Sequence, residues 1–132
     1  MTNAEASMSL DIEQSLKQAR KLILLQKEEE ARLLLLEILK QDANNRAALL
    51  MLGGSYFSIE KYSEAEMAFE RLILIDPCNG RYSIALFNIL WKLGRQEEAL
   101  EEIKRFLENA DSVTEKETID QYMKITQNLS NQ

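Results

Sequence analysis

Apolar residues fall in short blocks separated by polar turns, and inside each block their spacing is helical. Leu35, Ile38 and Leu39 stand at i, i+3 and i+4, as do Phe69, Leu72, Ile73 and Ile103, Phe106, Leu107. That spacing lays a stripe along one side of a helix. Asn44-Asn45 and Pro77-Cys78-Asn79-Gly80 break the blocks, since these residue types favour turns. The pattern predicts an all-α chain with helices over 10–26, 28–41, 45–58, 62–75, 80–92 and 96–109, and no strands. A seventh helix is expected over 115–129. Thr114 and Glu117 have capping-box spacing before it. Ile119, Tyr122, Met123 and Leu129 would form its apolar face, with Glu115, Lys116, Asp120 and Lys124 on the polar side. Residues 1–9 are expected to be a flexible N-terminus.

The blocks repeat. Glu-Ala occurs at Glu30-Ala31, Glu64-Ala65 and Glu98-Ala99, 34 residues apart each time, and each pair follows a base by three residues: Lys27, Lys61 and Arg95. On that period eight columns are apolar in all three copies. They include Leu16/Leu50/Ile84, Ile23/Phe57/Trp91, Leu35/Phe69/Ile103 and Ile38/Leu72/Phe106, where chance would give roughly three. The repeats run over 12–45, 46–79 and 80–113. Each reads as two helices joined by a tight turn, and the helix at 115–129 would cover the last apolar face, as an open array requires.

The period, the paired helices and the middle repeat resemble the tetratricopeptide repeat family. Leu49, Leu52-Gly53, Tyr56, Ala65, Phe69 and Asp76-Pro77 stand where that family's motif places a bulky residue, Leu-Gly, an aromatic, Ala, an aromatic and Pro. The outer repeats depart from it. Repeat one has Ser15 at the bulky position, Ala19 for the glycine and Ala43 for the proline; repeat three has Ser83 at the bulky position and Phe87 at the small one. The resemblance implies an α-solenoid of three helical pairs plus a capping helix, working as a non-catalytic protein-binding module.

By the same resemblance the first helix of each pair lines a concave groove. Helical spacing then gives three stripes: Leu16, Arg20, Ile23 and Leu24; Leu50, Gly54, Phe57 and Ser58; Ile84, Asn88, Trp91 and Lys92. Apolar side chains on an open face have no core duty, and exposed apolar patches mark binding sites. The expected groove residues are Leu16, Arg20, Ile23, Leu50, Phe57, Arg81, Ile84, Asn88, Trp91 and Lys92, with Trp91, Phe57 and Tyr82 as aromatic anchors. Some members clamp chaperone C-termini with groove Lys, Asn and Arg residues. The stripe here is Arg20, Gly54 and Asn88; only Asn88 fits, so that function is not carried over.

Charge sharpens the contrast between faces. The chain has 16 Lys and Arg against 22 Asp and Glu, a net −6. The three first helices hold six bases and two acids, +4, leaving −10 elsewhere. A mildly basic, apolar front suits an extended segment with apolar and acidic side chains. The acidic total argues against nucleic acid and anionic lipid. With no histidine and one cysteine, Cys78, neither an imidazole-based triad nor a structural zinc site is expected. Four glycines form no phosphate loop, and no cofactor is expected. No run reaches the length of a membrane helix and none reads as a signal peptide, so the cytoplasm is the default location. The expected function is a small adaptor or chaperone holding a partner's segment in the groove. The alternatives are an immunity or inhibitor-type protein masking a basic partner, and a structural subunit whose groove is closed by a second copy in a homodimer.

Overall fold

The computed structural model describes residues 11–131. The predicted N-terminal segment 1–9 and the first position of the predicted helix at 10 lie outside the described residues. Among the described residues seven helices follow one another: α1 Ile12–Leu24, α2 Glu28–Gln41, α3 Arg46–Ser58, α4 Tyr62–Ile75, α5 Gly80–Lys92, α6 Gln96–Asn109 and α7 Lys116–Ser130. There is no strand among the described residues. Consecutive helices pack pairwise, α1 on α2, α3 on α4 and α5 on α6, and each pair stacks on the next through α2–α3 and α4–α5.

The boundaries repeat because the chemistry repeats. Asp11, Asn45 and Asn79 cap α1, α3 and α5, accepting from Gln14 N at 3.2 Å, Ala48 N at 2.9 Å and Tyr82 N at 3.2 Å. A short polar side chain at this position satisfies an amide that the helix leaves unpaired. At the other end Gln26, Glu60 and Gly94 have φ of 62°, 62° and 77°. Each sits in a Schellman turn, as in Gly94 N to Trp91 O and Arg95 N to Leu90 O, which closes the helix with a left-handed residue. Only the third repeat uses glycine there; Gln26 and Glu60 adopt a conformation that crowds an L side chain.

The expected helices at 28–41, 62–75, 80–92 and 96–109 form over those residues. Asn45 is the cap of α3 rather than its first residue, and α1 ends at Leu24 because Leu25 is already its cap. The capping box before the last helix does not form. Asp111 takes the amides of Val113 and Thr114, both at 2.9 Å, and winds 112–115 into a turn. Helix α7 begins at Lys116, and its cap residue Glu115 makes no side-chain capping bond. The Glu115 carboxylate instead accepts from Gly80 N at 3.1 Å, tying the start of α7 to the start of α5. Met123, placed on the apolar face of this helix by its spacing, is 55% exposed, while Tyr122 is completely buried.

The core rests on small residues where helices cross. Ala31, Ala65 and Ala99 have no exposed surface, so each pair closes on a methyl group. Ala19, Gly53 and Phe87 occupy the facing column. In the middle repeat a Cβ on Gly53 would stand 2.7 Å from the ring of Phe69. Repeat three reverses the sizes, with Phe87 in that column and Ile103 where Phe69 stands, both in the same buried cluster.

The adjacent glycines of α3 make a sharp test. Gly53→Ala is expected to destabilise by about 1–3 kcal/mol, because overpacking outweighs better helix propensity. A Cβ at Gly54 meets nothing within 4 Å, so Gly54→Ala is expected to stabilise by roughly 0.5–1 kcal/mol. Urea unfolding measures both; equal effects of one sign would contradict this packing.

Candidate protein-binding groove

The open face of α1, α3 and α5 carries two adjoining hollows. One, of about 250 Å³, is enclosed by Gly54, Phe57, Phe69, Arg81, Ile84, Ala85 and Asn88. The other, of about 340 Å³, is enclosed by Ile23, Glu28, Leu50, Met51, Gly54, Ser55 and Ser58. Gly54 belongs to both, and the space above it is open, so it forms a low saddle between two apolar depressions. Leu50 is 45% exposed at the rim. Phe57 is held edge-on against Tyr62, ring centroids 5.3 Å apart, which fixes the wall on that side.

Among the residues expected from spacing, the hollows bring together Ile23, Leu50, Phe57, Arg81, Ile84 and Asn88. The others are placed elsewhere. Leu16 is half-buried against the N-terminal core of Ala19, Leu35 and Ile38. Arg20 and Lys92 are exposed and line neither hollow. Trp91 is 37% exposed and stacks on Phe87 at 5.7 Å, outside both hollows. Tyr82 is no groove anchor. It is 7% exposed within the main core, because its column, which it shares with the buried Ala48, faces the neighbouring helix.

The electrostatics of the two faces differ in pairing as well as in sign. On the second helices the guanidinium groups are engaged: Arg32 with Glu28 at 3.8 Å, and Arg105 with Glu102 at 2.6 Å. Arg95, at the start of α6, joins Glu98 and reaches Glu66 at 2.8 Å. These partners hold Arg105 above its usual range and Glu98 below its own. Burial and the nearby Glu66 raise the carboxyl of Glu70. Arg81 and Lys92, by contrast, make no hydrogen bond or ion pair among the described residues. The front therefore offers Arg81 and Lys92 unneutralised, although Arg46 of α3 pairs with Asp76 at 3.7 Å, whereas Arg32, Arg95 and Arg105 are already paired.

Two polar networks, one part-buried and one buried, were not anticipated. Arg32 donates to Ser55 Oγ at 2.8 Å and lies 5.8 Å over the Tyr56 ring, while Ser55 and Ser58 donate to Glu28, both at 3.2 Å. At the other end Ser83 Oγ donates to Glu102 at 2.6 Å and shares a 2.7 Å bond with the Tyr122 hydroxyl. Glu102 also accepts two bonds from Arg105. A buried carboxylate is tolerable only when so fully bonded. The sequence carried one signal of this, a serine at the bulky core position of repeat three.

Comparison with known proteins agrees with this geometry. A Tetratricopeptide repeat family model matches residues 47–78. A stretch of 73 residues is 32% identical to the Tetratricopeptide repeat protein 30 homolog of Drosophila pseudoobscura pseudoobscura, and equally to that of Drosophila melanogaster. It covers 55% of this chain and 11% of either relative. Among solved structures, the Yersinia enterocolitica type III secretion translocator chaperone SycD superposes with a TM-score of 0.73 at 19% identity, over 93% of this chain and 95% of that one. MamA superposes with a TM-score of 0.66 at 19% identity, over 74% of this chain and 57% of its own. Residues 47–78 thus match the tetratricopeptide repeat, and the chain shares the all-helical repeat fold of these solved structures. No helix among the described residues is long and apolar enough to cross a membrane.

Tyr122 supplies a pH test. Burial pushes its phenol above the usual value of 10. The unfolded phenol ionises first, so its contribution to stability is complete below pH of about 10 and is lost as pH rises towards the higher folded value. Tyr122→Phe is expected to cost about 1 kcal/mol at neutral pH, and the gap to wild type should shrink above pH of about 10. Denaturant unfolding of both proteins across pH 7 to about 11 measures this; a constant gap would contradict it.

Proposed function

We propose that this protein is a non-catalytic adaptor or chaperone that holds an extended segment of a partner protein across the concave face of α1, α3 and α5. The observation that carries the reading is the saddle at Gly54. It joins two apolar hollows on a face that the fold does not need, with Arg81 at one wall. The partner segment places one apolar side chain against Phe57 and Ile84 and another against Ile23 and Leu50. The backbone crosses over Gly54, and a carboxylate of the segment faces Arg81. The overall likeness to the translocator chaperone SycD over nearly the whole of both chains supports the chaperone side of this reading. The cytoplasm is the compartment we assign to it.

The groove, rather than a second copy, is the main binding surface in this reading because its two hollows, of about 250 and 340 Å³, are of a size to take single side chains. The test is affinity capture from the cells that make the protein, followed by measured affinities for what is captured. Gly54→Trp fills the saddle without touching the core, since the position is open. It is expected to leave thermal melting within about 0.5 kcal/mol of wild type in stability, as surface substitutions do, and to weaken partner binding at least tenfold. Arg81→Glu is expected to lower the association rate and to alter its salt dependence. Partners retained unchanged by Gly54→Trp would overturn this assignment.

A further inference from the structure

Each of the two hollows on the concave face has one charged wall, and the two charges are opposite. In the hollow of about 340 Å³ it is Glu28. Both hydrogen bonds that Glu28 accepts, from Ser55 and Ser58 at 3.2 Å, end on Oε2. Its Oε1 accepts none among the described residues, although each carboxylate oxygen is an acceptor in its own right. Arg32 stands 3.8 Å from the same Oε2, beyond hydrogen-bonding reach, donates to Ser55 instead, and lines neither hollow. In the hollow of about 250 Å³ the charged wall is Arg81, which makes no hydrogen bond or ion pair among the described residues. Gly54 joins the two, so an anion and a cation flank one apolar track. Arg81 and Ile84 also border a polar hollow of about 520 Å³ beside α7, which contains Glu115 and Glu117. Glu115 is tied to Gly80 N, and Glu117 has no hydrogen bond or ion pair among the described residues. The apolar track therefore ends at Arg81, and beyond it a second carboxylate of a ligand is repelled.

Resting on the groove reading above, we propose that the segment held there is ampholytic. A lysine or arginine flanks the apolar residue seated against Ile23 and Leu50, and a single carboxylate flanks the one seated against Phe57 and Ile84. An extended chain turns alternate residues to one side, so base, first anchor, second anchor and acid take successive same-side positions. The base donates to Oε1 of Glu28, and the acid accepts from the Arg81 guanidinium. Hydrogen bonds between ionised groups are stronger than neutral ones, and apolar walls strengthen them further by lowering the local dielectric. Charge also rejects the wrong segments. A segment with acids at both ends sets one of them against Glu28, and one with bases at both ends sets one against Arg81; like charges brought together lower affinity. The order of base and acid along the partner's sequence then fixes which way its chain runs across α1, α3 and α5.

The test uses the full chain and synthetic peptides, acetylated and amidated so that only side chains carry charge. The first is Lys-Ser-Leu-Ser-Leu-Ser-Glu. The others have Glu at both ends, Lys at both ends, or Gln in place of the Lys. Amide chemical-shift titrations of wild type, Glu28→Gln and Arg81→Gln give affinity and location together. The Lys–Glu peptide is expected to bind roughly fivefold or more tightly than each of the others, a coupling normal for charges in direct contact, with shifts around Ile23, Leu50 and Ile84. Glu28→Gln should erase its advantage over the Gln peptide, and Arg81→Gln its advantage over the peptide with Lys at both ends. A nitroxide at its Lys end should broaden amides near Ile23, and one at its Glu end those near Arg81. Glutamine at 28 still offers Ser55 and Ser58 an acceptor. Arg81 is exposed and unbonded among the described residues, so Arg81→Gln decides alone if the change at Glu28 unfolds the protein. Four outcomes would overturn the proposal: no binding of the Lys–Glu peptide, equal affinity for all the peptides, advantages that survive both substitutions, or a reversed nitroxide pattern. Equal affinities that Gly54→Trp abolishes together would remove the charge order and leave the groove standing. Failure of the groove itself shows instead as captured partners that Gly54→Trp retains.

Discussion

Everything in this stack depends on how closely two helices approach where Ala31, Ala65 and Ala99 lie fully buried. A methyl group at each crossing lets the facing helix come near enough for larger side chains on either side to interdigitate. The middle repeat carries this furthest, with Gly53 under the ring of Phe69. Because each pair buries only part of its apolar surface within itself, the remainder must be covered by the next pair. Stability is then shared between neighbours, and α7 covers the last face by burying Tyr122 against Phe87 and Phe106.

The same geometry frees one face. On the outward side of α1, α3 and α5, Phe57 and Ile84 pack only partly on the core, and with Leu50 and Gly54 they line hollows there. Charge divides along the same boundary. Arg32 and Arg95 are consumed in joints between helices and Arg105 pairs with Glu102 on its own helix, while Arg81 stays unpaired at the groove among the described residues. The buried bonds from Ser83 to Glu102 and Tyr122 decide which helix α7 leans on. By drawing it to α5, they leave an open cleft beside α6.

The periodic part of this architecture was legible in the chain. Caps at Asp11, Asn45 and Asn79, left-handed residues at 26, 60 and 94, and apolar columns at one period fix helix ends and facings together. What breaks the period was not legible. Tyr82, expected as an aromatic anchor, is buried in the main core. Trp91 lines neither hollow and stacks on Phe87, which stands where the other repeats have Ala19 and Gly53. Contacts such as Ser83 to Tyr122 join residues 39 apart, and no spacing rule points to them. The capping box failed where Asp111, three residues earlier, takes the amide of Thr114, one of the two that the box would use.

Helix α3 has one division, between the side that builds the core and the side assigned to a partner. Leu49 and Leu50 are neighbours in sequence and fall on opposite sides of it, 4% and 45% exposed. Unfolding free energies of Leu49→Ala and Leu50→Ala measure that division directly. Leu49→Ala should cost about 2–5 kcal/mol, as cavity formation in a core does, and Leu50→Ala no more than about 1 kcal/mol. Comparable losses at both positions would mean that Leu50 belongs to the core and that the face assigned to a partner is not free.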